Sequence, residues 1–134
     1  LEALVVKAIL DTHAAVWATS GDSRLGKSAH AFLGALATQE AAISDISLLE
    51  ISMLVRKNRI QINVPLTQYL KSMANSFIVL PITAEIAALA MALSLPQSDP
   101  FDRIIAATTL HNELPLITKD RQLQQFDELV TIWD

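Results

Sequence analysis

The sequence predicts an α/β fold: one domain over residues 1–134, a three-layer sandwich with helices on both faces of a central parallel sheet of four or five strands. Three observations point there. Short strand-like runs alternate with helical periodicity along the chain, no internal repeat or low-complexity linker interrupts them, and 51 % of the residues are apolar, enough for a core without disulfides or structural zinc.

Val5 to Leu10 is a short apolar run ended by Asp11-Thr12, residue types that favour helix starts, and it reads as a buried opening strand. Because Leu1 to Leu10 carries Glu2 and no basic leader, it reads as a strand and not as an export signal. A first helical turn leads into Ala14 to Ala18, and the polar, glycine-containing stretch Thr19 to Lys27 is a loop. Ser28 to Thr38 has alanine-rich helical spacing with Ala29, Phe32, Leu33 and Leu36 inward, and a brief strand spans Ala41 to Ser44.

Ile46 to Arg56 is a strongly apolar helix with Ile46, Leu49, Met53 and Leu54 grouped on one side, and Glu50 points to that same side. The basic run Arg56-Lys57-Asn58-Arg59 closes it where cations complement the helix dipole, and Pro65 opens the next helix, Pro65 to Ala74. Then come a strand at Ile78 to Leu80, a helix at Ala84 to Leu93, a turn at Pro96 to Pro100 and a helix at Phe101 to His111. A strand at Leu116 to Thr118 ends in Lys119-Asp120; a helical turn near Arg121 to Gln125 and a last strand, Val130 to Trp133, complete the pattern.

Composition excludes several functions. Cysteine is absent, which removes thiol catalysis and disulfide frameworks and is compatible with a reducing cytoplasm, the expected location. The longest apolar stretch, Ile86 to Leu95, has ten residues, too few to cross a bilayer as a helix. Net charge is −4, from 14 acids against 10 bases, so the chain lacks the basic footprint of a protein that grips nucleic acid mainly through its phosphates.

The candidate chemistry lies in Asp11, Glu50, Asp102 and Asp120. Without them the acids number 10 against 10 bases, so the whole excess of negative charge can be local. Each has an ordinary reading: Asp11 and Asp120 as turn or helix caps, Glu50 as the far end of a Ser47-x-x-Glu50 capping box, and Asp102 as a first-turn acid behind the cap Asp99 and Pro100. Together they say more. Segments leaving the carboxyl ends of neighbouring parallel strands converge on one crevice, and carboxylates crowded there repel unless a cation sits between them. Hard divalent ions take such oxygen ligands, so we read the set as a magnesium or manganese site able to activate water against a phosphodiester. Thr12 and Thr118 are placed to orient carboxylates, and Arg103 and Lys119 are the nearest cations for a phosphate. His13, His30 and His111 show no metal-ligand spacing and read as surface or packed residues.

Four segments carry a family resemblance: Ile9-Leu10-Asp11-Thr12-His13 with Trp17; Ser44 to Ile51 with Glu50; Asp99-Pro100-Phe101-Asp102-Arg103-Ile104-Ile105-Ala106-Ala107; and Leu116-Ile117-Thr118-Lys119-Asp120. In this order and spacing the chain resembles PIN-domain proteins of the VapC toxin type over about Ala8 to Trp133. The resemblance implies a magnesium-dependent ribonuclease, the toxin of a bacterial toxin–antitoxin pair, with Asp11, Glu50, Asp102 and Asp120 as its acidic set. It also implies dimerisation and an antitoxin whose tail enters the acidic groove. One departure is visible: many relatives have a longer, histidine-bearing turn before the Asp-Pro-Phe-Asp string, whereas Leu95-Pro96-Gln97-Ser98 is short and has none.

Two rivals stand beside this reading. A phosphatase of the haloacid dehalogenase type would use a strand-end aspartate as nucleophile, but it needs Asp-x-Asp and position 13 is histidine. A PIN-like scaffold kept only for binding would use the acids as caps or as a dock for a basic peptide, yet has no evident need for Glu50 on an apolar helix face.

Overall fold

In the computed structural model, residues 5–96 and 99–134 are described; residues 1–4, and the Gln97-Ser98 part of the expected Pro96–Pro100 turn, lie outside the described residues. The opening strand β1, Ala8–Leu10, has no accessible surface and pairs on both edges: with β2, Ala41–Ser44, and with β4, Leu116–Ile117. Adding β3, Ile78–Leu80, beyond β2 and β5, Thr131–Ile132, beyond β4 gives a fully parallel sheet of order β3-β2-β1-β4-β5. The five strands and their parallel direction agree with the expected sandwich.

Alternation along β1 divides the core in two. Ala8 and Leu10 face one side, where Ile43 and Ile117 meet α1 (Thr12–Ser20), α2 (Lys27–Gly34), α3 (Ile46–Arg56) and α4 (Leu66–Ser76) through Ala14, Trp17, Ala29, Ile51 and Met73. Ile9 faces the other side with Ala42 and Leu116, against α5 (Ala84–Ala92), α6 (Pro100–His111) and α7 (Arg121–Gln125) through Ile86, Ala90, Ile105, Ala106 and Leu123. Successive strand residues therefore feed opposite helical layers, which is why these strands read as continuous apolar runs.

Most boundaries follow local chemistry. Asp11 caps α1 by accepting the Ala14 amide, and Gly21, at φ 65°, ends that helix in the left-handed conformation glycine adopts without strain. Thr83 caps α5 and Asp99 caps α6, the latter with Pro100 at the first helical position. Two expectations are corrected. β1 begins at Ala8 and not at Val5, because its register partner β2 begins at Ala41, and Val5 is 64 % exposed. Leu49 is 60 % exposed and not inward: α3 buries Ser47, Ile51 and Leu54, and a helix apolar almost all round does not reveal its own rotation.

Gly26, just before α2, lies against the end of the chain: a Cβ there would sit 2.3 Å from the Trp133 carbonyl oxygen, itself the acceptor of the Ala29 amide at 3.0 Å. Since the obstructing atoms are backbone, Gly26→Ala is expected to lower unfolding stability by about 1–3 kcal/mol, read as a lower urea midpoint at unchanged slope.

Candidate active site

The strand order reverses at β1: the chain runs outward through β2 and β3, then returns to place β4 on the other edge of β1. In open parallel sheets a crevice forms above the carboxyl ends of the strands at that switch point. Here it is a groove of about 1020 Å³ whose lining includes Asp11, Glu50, Asp102 and Asp120, together with Asp99.

Asp11 leaves β1 in both roles available to it. One carboxylate oxygen caps α1 at the Ala14 amide, 2.9 Å away, and the other accepts the hydroxyl of Thr118 at the end of β4. Thr118 also accepts the Asp120 amide at 3.0 Å, so one buried hydroxyl, 107 residues from Asp11 in sequence, ties the two strand-end acids together. Asp120 in turn accepts the Gln122 and Leu123 amides through a single oxygen, at 2.8 and 3.1 Å, which leaves its second oxygen free of any described partner. Both acids therefore act as caps, and both also face the groove.

Glu50 reaches the groove from α3 and accepts the hydroxyl of Thr12. Thr12 Oγ1 also lies 2.9 Å from the hydroxyl of Ser47. A hydroxyl carries one proton, so with Thr12 donating to the carboxylate, Ser47 donates to Thr12, and the three form a directed chain. The capping-box reading of Ser47 and Glu50 fails: α3 starts at Ile46 with Asp45 before it and no side-chain cap, and Ser47 is fully buried inside the first turn.

Asp102 sits in the first turn of α6 with no described hydrogen bond. Burial is the main cause that raises its pKa from 3.8 to about 7, with repulsion from Asp99, Asp120, Glu50 and Asp11 adding to it. Burial likewise raises Asp11 to about 6, against the opposing effect of the Thr118 and Ala14 hydrogen bonds, and it raises Glu50 as well. The ion pairs among the described residues, Lys7 with Glu40 and Arg24 with Asp22, leave all four acids without a cation.

The predicted cations divide. Lys119 lines the groove with its Nζ 5.5 Å from the centroid of the Trp17 ring. Arg103 turns away: its guanidinium donates to the carbonyls of Ala90, Leu93 and Leu95 at 3.0, 2.9 and 3.1 Å, closing the carboxyl end of α5, and it does not line the groove. The reason is tertiary, since α5 and α6 pack side by side and free C-terminal carbonyls are the nearest acceptors. Sequence reasoning missed Ser47 as a partner of Thr12, Arg24 beside Trp17, and the lining segment from Asn58 to Asn63. Only Ser47 had a signal, its placement three residues before Glu50 on one helix face.

Oxygen donors without a cationic partner suit a hard divalent ion, and the raised pKa values of Asp11 and Asp102, caused first by burial and then by neighbouring acids, mark carboxylates whose charged form such an ion would stabilise. Among the described residues no three of the acids already converge as a finished coordination shell, so side-chain rotation or bridging water would complete it. Magnesium, which keeps several of its waters, tolerates this.

Fold and groove together define a class: small α/β domains that gather acids above the switch point of a parallel sheet. The chain belongs to the PIN domain family, whose model matches residues 8–129. It is 35 % identical to Ribonuclease VapC22 of Mycobacterium tuberculosis over 129 residues, 93 % of this chain and 97 % of that one. Among solved structures it is similar to a toxin-antitoxin complex from Klebsiella pneumoniae, with a TM-score of 0.65 and 25 % identity over 93 % of this chain and 97 % of that one. It also shares its fold with VapBC2 from Rickettsia felis bound to a DNA fragment from its promoter, with a TM-score of 0.70 and 20 % identity over 96 % of this chain and all of that one.

Acids whose folded pKa is raised favour the folded state while protonated, so this contribution is present at low pH and is lost as pH climbs from about 4 through about 7. Metal-free protein is expected to melt at a lower temperature at pH 8 than at pH 5.5. Asp102→Asn should flatten that slope and raise the pH 8 melting temperature by ~4 °C, as differential scanning calorimetry would read.

Proposed function

We propose that this chain is a magnesium- or manganese-dependent endoribonuclease, the toxin of a type II toxin–antitoxin pair, acting in the cytoplasm. One observation carries the reading: four carboxylates line one groove, none has a cationic partner among the described residues, and two have pKa values lifted to about 6 and 7. Family membership and the identity to Ribonuclease VapC22 support the same activity.

Asp11, Glu50, Asp102 and Asp120 are the residues that would hold the ion or its waters. When bound, the ion supplies an acidified water and offsets charge on the phosphodiester oxygens. The protein's own share is positional. Thr118 fixes Asp11, the Ser47–Thr12 pair fixes Glu50, and each hydroxyl leaves a lone pair of its carboxylate oxygen free for another contact. Lys119, at the rim beside Trp17, is the chain's candidate for gripping a phosphate. An antitoxin is the proposed protein partner, as in the toxin-antitoxin complexes of similar fold. A homodimer is also proposed, supported by the exposed apolar face of α5 with Ala87, Ala88 and a 66 % exposed Met91.

RNA cleavage with added magnesium or manganese, followed with and without chelator, tests the reading. Asp11→Asn and Asp102→Asn are expected to lower kcat by ~100-fold or more, and Thr118→Val by about 10–100-fold with the fold intact. Cleavage indifferent to chelator and to both aspartate changes would eliminate the site.

A further inference from the structure

The basic run that closes α3 leads directly into one wall of the groove. Asn58 adopts φ 58°, which turns the chain off the helix, and the amides of Arg59 and Ile60 both donate to the Leu54 carbonyl, at 2.8 and 3.3 Å. Ile60 then packs on the core, which anchors the segment from beneath. Four neighbouring side chains are left exposed and line the groove: Asn58, Arg59, Gln61 and Asn63. Among the described residues none of the four has a side-chain hydrogen bond, and the segment contains no acid.

Elsewhere on the same rim, Lys119 lies 5.5 Å from the Trp17 ring centroid, and Arg24, ion-paired with Asp22, lies 5.0 Å from it. The groove thus combines an acidic floor, a cationic edge and an edge of free carboxamides. A polyanion is repelled by the first and held by the second, and neither distinguishes one base from another. Carboxamides can, because each both donates and accepts, the pattern that matches an adenine edge in two bonds. Base edges are open to such contacts in single strands and are hidden in a paired RNA helix.

We infer that the segment Asn58 to Asn63 is the base-reading wall of this groove: Gln61 and Asn63 select an adenine-bearing single strand, and Arg59 holds its phosphate. The inference rests on the ribonuclease reading above and adds the residues that choose the substrate.

The test is cleavage of a randomised pool of single-stranded RNA in magnesium, with product ends sequenced, by wild type, Gln61→Ala, Asn63→Ala, the double variant and Gln68→Ala. Gln68 is an exposed amide on α4 that does not line the groove. The double variant is expected to lose about tenfold of the preference for adenine near the cut while total cleavage persists, and Gln68→Ala to keep the wild-type pattern. An unchanged product distribution in the double variant, or the same change in Gln68→Ala, would overturn the base-reading wall and leave the ribonuclease intact. A wild type that cuts nothing, or Asp102→Asn cutting equally well, would remove both.

Discussion

Negative groups that repel one another stay together in this protein because the register of a parallel sheet holds them there. Pairing of Ile9 with Leu116 and of Leu10 with Ile117 brings the ends of β1 and β4 level. The next residues on each side, Asp11 and Thr118, then lie within hydrogen-bonding reach, and Thr118 passes the constraint on to Asp120. Backbone hydrogen bonds and buried apolar surface on both faces supply the energy, and the repulsion is a local cost borne by the whole fold. A one-residue slip of β4 would send Leu116 and Ile117 to the wrong helical layers, so the core polices the site.

The hydroxyl groups show how the arrangement satisfies its own polar atoms. Thr12, Ser47 and Thr118 are almost fully buried, and each is engaged with another side chain at the groove. Thr108 and Thr109 on α6 are just as buried but bond back to the carbonyls of Ile104 and Ile105, four residues earlier. The same residue type is therefore used in two ways: inside α6 it satisfies itself locally, while beside the acids it directs a proton at a carboxylate. Asp45 is the contrast, with one buried oxygen lacking a described partner.

Much of this was legible from the residues. Periodicity placed β2, α3, β3 and α7 at their observed limits, because each is bounded by a cap, a proline or a change of repeat. The four acids stand out in the sequence because charged residues on strand ends and apolar helix faces conflict with the surrounding pattern. What escaped was decided by contacts distant in sequence. Arg103 had no local mark of its bond to the end of α5, and the rotation of α3 that exposes Leu49 depends on which helices flank it. The basic run through Arg59 reads as the close of a helix, and nothing in the sequence that follows it discloses that Leu54 folds the segment back over the groove.

The bond from Thr118 to Asp11 also has a meaning in time. Asp11 is made 107 residues before its partner Thr118, and the Trp133 carbonyl that accepts from α2 follows later still. Domains can begin to fold while translation proceeds, yet this groove stays incomplete until β4 and the Thr118 that follows it have been made. A nascent chain that has not yet added β4 thus holds the Asp11 carboxylate by its contact with the Ala14 amide alone.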